Sequence, residues 1–130
     1  MLNKKKISNN NLKYAKVYCS NKLIASKIML CNTPVKKGTG LMFRSKNSVK
    51  NTAWLFPFKN SRKVSVTMFF VFFPIDVIFL DKNNKIIELK ENFKPFTNYI
   101  CVNKIFSFIE LECGTIKKNK LNIGDKISFD

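Results

Sequence analysis

A chain of 130 residues and 15.1 kDa, 45% apolar and 13% aromatic, can bury one hydrophobic core and is too apolar to stay unfolded. Its net charge of +16, from 24 Lys and Arg against 8 Asp and Glu, attracts polyanions whatever the fold. It contains no His, which excludes Ser-His-Asp and Cys-His nucleophile activation and the H-E-x-x-H metal sites.

The start, MLNKKKISNNN, is basic, but Ser8, three Asn and Lys13 stand where the apolar stretch of a secretory signal would be needed. Residues 1–11 therefore read as a flexible basic tail on one domain spanning 1–130, and the protein as cytoplasmic. LKYAKVYC (12–19) alternates apolar and polar residues, Ser20-Asn21 suits a tight turn, and LIASKIMLC (23–31) suits a returning strand. Thr33-Pro34 opens, and Gly38 and Gly40 close, one short helix near 34–39. AWLFPF (53–58), with Pro57 inside it, predicts an edge or bulged strand.

The run SVTMFFVFFPIDVIFLD (65–81) is the most apolar in the chain. A membrane helix needs about 20 uninterrupted apolar residues, and Pro74 and Asp76 interrupt this one, so it reads as two core strands joined near Pro74 and no membrane span. DKNNK (81–85) is a turn by composition. IIEL, IFSFIELEC (105–113) and the end of LNIGDKISF (121–129), entered at Gly124-Asp125, complete a set of strands. The four Cys are spaced 12, 70 and 12 apart with no C-x-x-C pair, which points to reduced, buried thiols and to no metal and no cofactor.

Four stretches in order, TPVKKGTGLMFR (33–44), AWLFPF, MFFVFFPIDVIFLD (68–81) and FIELECGTIKKNKLNIGDKISF (108–129), resemble the successive motifs of the DUF192 family. The resemblance spans about residues 23–130. It implies an all-β fold, a compact and mostly antiparallel barrel or jelly-roll-like sandwich with the short helix before G-L-M-F-R, and it brings no established activity. Many bacterial members carry W-M-K-N-T before the P-x-D motif. Here Thr67, Met68, Phe69, Phe70 and Val71 occupy that place, an apolar form similar to the archaeal branch.

Gly40 is expected to supply a positive φ at the end of the short helix, with Leu41, Met42 and Phe43 packing inward. Arg44 is one of only 2 Arg, and Asp76 is the first acid after 13 Lys and 2 Arg. An ionised carboxylate in an apolar wall must be paired, so Asp76 is expected to meet Arg44, or otherwise to cap a turn after Pro74. Asp125 reads as a turn residue, and Glu110 and Glu112 as a solvated face balanced by Lys117, Lys118 and Lys120. The functional reading is a small binding or accessory module, with any pocket formed by Met68, Phe70 and Phe72 and polarised by Arg44 and Asp76. Gly40, Pro74, Gly124 and Asp125 serve as structural motif positions. The alternatives are a non-specific nucleic-acid binder using the basic half with Tyr14, Tyr18 and Trp54 as stacking surfaces, and an enzyme with Asp76 as general base. The absent His and the absence of an activated nucleophile weigh against the enzyme.

Overall fold

The computed structural model describes residues 15–33, Lys37 and residues 39–130. The strands are β1 (Val17–Cys19), β2 (Lys22–Ala25), β3 (Lys27–Leu30), β4 (Thr52–Arg62), β5 (Ser65–Thr67), β6 (Ile75–Leu80), β7 (Ile86–Phe93), β8 (Asn98–Ile100), β9 (Ile105–Glu112) and β10 (Ile127–Phe129). A 3-10 helix, Lys46–Val49, precedes β4, and a helix α1, Thr115–Asn119, follows β9. The strands form three sheets, in the orders β10-β1-β2, β3-β4-β9-β6-β7 and β5-β8. β3 and β4 run parallel and every other strand pair is antiparallel. The expected mostly β fold is present, but the described strands do not close into a barrel: the five-stranded sheet ends at β3 and β7.

That sheet is the middle layer of the molecule. Trp54, Phe56, Val77, Phe79 and Phe108 point to one side, into a cluster completed by Val64, Val66, Met68, Val71 and Phe73. Ala53, Leu55, Ile78, Leu80, Ile109 and Leu111 point to the other, where β1, β2, β10 and α1 cover them. β6 is buried on both faces, which explains why IDVIFL reads as a continuous apolar run rather than an alternating one.

The expected hairpin forms at Ser20-Asn21, both at positive φ (48° and 68°), the signature of a turn whose twist suits antiparallel strands. LIASKIMLC, however, is two strands, since the chain leaves the first sheet at Ser26 and joins the second as β3. β4 is bulged as expected, with a register shift between Pro57 and Arg62, but it is an inner strand. Pro57 is tolerated because β3 pairs only with Thr52 to Leu55, so the β4 edge beyond them has no ladder on that side to break.

β6 begins at Ile75, immediately after Pro74. MFFVFF is not a strand: β5 stops at Thr67 and residues 68–74 form a turn-rich loop. The turn at Gly124-Asp125 is as expected, with Gly124 at φ 97° and the Asp125 Oδ2 accepting from the Asn122 N–H at 2.8 Å. Of the helix expected near 34–39, Lys37 donates its N–H to the Thr33 carbonyl at 2.9 Å. Residues 34–36 and Gly38, like the basic tail 1–11, lie outside the described residues.

Candidate functional site

Three carboxylates are buried in the large sheet: Asp76, Glu88 and Glu110. Asp76, 1% exposed, accepts backbone N–H bonds from Asn92 (3.0 Å) on Oδ1, and from Gly114 (3.0 Å) and Ile116 (2.9 Å) on Oδ2. The register of β7 slips opposite Asp76, which turns the Asn92 amide inward, and Gly114 at φ 95° aims the opening amides of α1 at the other oxygen. The expected pair with Arg44 is not formed. Arg44 lies over Trp54, 5.3 Å from the ring centroid, and Trp54 belongs to the core on the other side of the sheet from Ile78, the next residue of β6 on the Asp76 face. With both oxygens occupied and no exposed edge, Asp76 is not positioned to take a substrate proton.

Glu88 is satisfied in the same way. Its carboxylate accepts from the Tyr99 hydroxyl, the Val102 N–H (2.9 Å), and the Asn103 N–H (3.0 Å) and side-chain amide (3.1 Å). Burial pushes its pKa up, but these donors outweigh burial and hold it below the ordinary carboxylate range. Burial and the Glu88 charge push the Tyr99 hydroxyl up to about 12.

Glu110 differs from both. It is 5% exposed rather than solvated, and burial alone pushes its pKa up to about 8. No described residue donates a hydrogen bond to it. The alternation I-E-L-E over residues 109–112 suggests a solvated Glu110 and Glu112 face, but Phe108, two residues earlier on that face, belongs to the core and Glu110 follows it inward. Glu112, two residues on, is half-buried.

Lys37 and residues 39–44 lie across an aromatic row on β4. The Lys37 ammonium lies 4.5 Å from the Phe58 ring centroid, Gly40 packs against Phe56, and Arg44 covers Trp54. Gly40 has φ 41°, as expected, and a Cβ there would come within 3.1 Å of Phe56. A cleft of about 70 Å³ opens beneath this segment, with Glu110 in its wall. Arg44 and Trp54 also line a separate groove of about 680 Å³ along β3.

Phe43 does not pack inward. It is 71% exposed and stacks on Phe70 with centroids 4.7 Å apart, and Phe69, Phe72 and Phe96 complete a surface cluster through edge contacts of 4.6 to 6.1 Å. The Phe43 N–H donates to the Phe70 carbonyl (2.8 Å) and the Phe96 N–H to the Met68 carbonyl (2.9 Å), which locks three loops together. Met68 itself is wholly buried, and with Val71 and Phe73 it anchors the loop in the core. Of the five residues expected around a ligand, Phe70 and Phe72 each contact Phe96 in the surface cluster, Met68 is core, Arg44 adjoins the cluster through Phe43, and Asp76 lies apart. The sequence does not point to Phe43 or Phe96 as surface rings. Pro95 just before Phe96 is a turn signal the reading above does not use, and nothing local to either ring shows that the two loops meet.

The model of the DUF192 family, described as an uncharacterised ACR, matches residues 17–129. The chain is 28% identical over 109 residues to a UPF0127 protein of Thermococcus sibiricus, covering 84% of this chain and 70% of that protein. It is 28% identical over 103 residues to one of Pyrococcus horikoshii, covering 79% and 87%. Among solved structures it superimposes on a Sinorhizobium meliloti protein of proposed transcription-regulator role, with TM-score 0.77, 22% identity and 88% and 91% coverage. A Novosphingobium aromaticivorans protein of unknown function gives TM-score 0.77, 19% identity and 88% and 82% coverage. At these identities the structural likeness concerns the fold alone.

Proposed function

This chain belongs to the DUF192 family, and we propose that it is a binding module whose contact face is the ring cluster of Phe43, Phe69, Phe70, Phe72 and Phe96. The observation that carries this reading is backbone strain spent on exposed rings. Phe43, Phe70 and Phe96 all have positive φ (59°, 55° and 59°), a conformation a bulky side chain rarely adopts. Each costs about 1 to 3 kcal/mol, and such strain gathers at binding sites, where the surrounding structure enforces it. Burial does not offset it at Phe43 and Phe96, which remain 71% and 49% exposed, while Phe70 is half-buried. Contiguous exposed apolar surface on a monomer marks an interaction site. The loop core is filled by Met68, Val71 and Phe73, which supports contact at the surface over an internal cavity.

A fragment library of small aliphatic and aromatic compounds, screened against the carbon-13-labelled protein, tests this. Binders are expected to shift the ring resonances of Phe43, Phe70, Phe72 and Phe96. Binders confined to the Arg44 and Trp54 groove, or none at all, would contradict the reading.

A second reading, weak polyanion binding, is favoured by the charge distribution, because residues 1–75 carry 13 Lys and 2 Arg with no acid. Its expected stacking surfaces change. Trp54 is 3% exposed and donates its indole N–H to the Ser48 carbonyl at 2.8 Å, Tyr18 is half-buried, and Tyr14 lies outside the described residues.

A further inference from the structure

Asp76 and Glu88 are answered by amides of their own chain; Glu110 is not. It lines the 70 Å³ cleft together with Lys37, Thr39, Gly40, Thr67 and Phe108. Gly40 holds the space open, since a Cβ at that position would stand 3.8 Å from the Glu110 Oε1 and 3.1 Å from the Phe56 Cζ. A buried polar atom without a partner costs free energy that a ligand group can recover.

We propose that this cleft binds a small carboxylate group, with Glu110 as the hydrogen-bond donor in its wall and Lys37 as the cation beside it. Burial keeps the Glu110 carboxyl neutral below about pH 8, so it carries an O–H to offer. The bond needs no net proton transfer: the Glu110 O–H donates and a ligand oxygen accepts. The charges around the cleft favour an anion over an amine. β4 and β6 flank Glu110 with Trp54 and Val77, and β5 adds Ser65 and Thr67. The covering segment adds Lys37 to the cleft and holds Arg44 over Trp54, while Glu112 is the next acid along the strand. An incoming ammonium would be repelled by Lys37 and by a chain of net charge +16. The volume suits a group of a few heavy atoms and no ring.

Acetate and methylammonium serve as probes, with the side-chain resonances of Met42, Val71 and Phe108 as the readout, at about pH 6.5 and about pH 9.5. Acetate is expected to shift these resonances at the lower pH and to bind at least tenfold more weakly at the higher, where Glu110 is a carboxylate and repels it. Glu110→Gln, whose amide still donates, should bind acetate equally at both. Shifts caused by methylammonium rather than acetate, wild-type acetate binding unchanged at the higher pH, or no shift with either probe would overturn the proposal. The wild-type comparison decides the matter even if the variant does not fold.

Discussion

At the scale of single residues, supply of donors decides what a buried acid does. Asp76 draws three amides from two elements, so its removal strands those N–H groups in the core. Asp76→Leu should cost about 3 to 5 kcal/mol, since breaking one side of a buried charged contact leaves the other unpaired. Arg44→Met gives up one cation–π contact and should cost about 1 kcal/mol or less. Because the two do not touch, the losses should add within about 0.5 kcal/mol in the double variant, as read by urea unfolding; a double variant much more stable than that sum would restore the ion pair. Glu110 carries the opposite signature. Its carboxyl is raised from the ordinary 4.5 to about 8 by burial, so between those values the unfolded chain ionises while the folded one holds its proton. Over that window the Glu110 contribution to stability falls as pH rises, by up to about 1.4 kcal/mol per pH unit, and levels off above it. Glu110→Gln should remove that contribution. If the wild type and the variant show parallel stability curves from about pH 5 to 8, Glu110 is not the titrating group.

At the scale of elements, what could be read from the sequence was what is local. Ser20-Asn21 carries its own turn chemistry, Pro74 marks where β6 can begin, and Asp125 bonds an amide three residues away. The partner of Asp76 could not be read this way, because Gly114 and Ile116 lie 38 and 40 residues downstream. α1 has only five residues, too few for a periodic signal, and its opening amides meet a side chain from another strand. The aromatic run misled for a related reason. MFFVFF has strand composition, yet positive φ at Phe70 and the hydrogen bonds to Phe43 and Phe96 fold it into a loop that alternates between anchoring and display. The two roles should separate on substitution. Phe73→Asn, in the core, should cost about 3 to 5 kcal/mol, while Phe96→Asn, half-exposed and at a φ that Asn tolerates, should stay within about 1 kcal/mol of the wild type. Equal losses at both positions would mean that Phe96 is a packing residue and the surface cluster is part of the fold's stability.

At the scale of the whole molecule, a sheet buried on both faces holds a rigid middle layer, and the irregular chain gathers beside it. Residues 39–44, the loop 68–74 and the turn at Phe96 converge there, bringing the Glu110 cleft and the five rings onto neighbouring chain. The charge acts at longer range. Any affinity for DNA or RNA should be insensitive to sequence and collapse between about 50 and 200 mM salt, because lysine contacts act through counterion release; tight, sequence-selective binding at the higher salt would make nucleic acid the principal partner. The ring cluster as contact face is tested most directly by comparing binding and stability in one variant, Phe69→Ser with Phe72→Ser. Both rings are exposed, so the urea midpoint should stay close to that of the wild type while affinity for the compounds that shift the cluster's resonances falls tenfold or more, about 1.4 kcal/mol. Unchanged affinity in a variant that is still folded would contradict the assignment of this face.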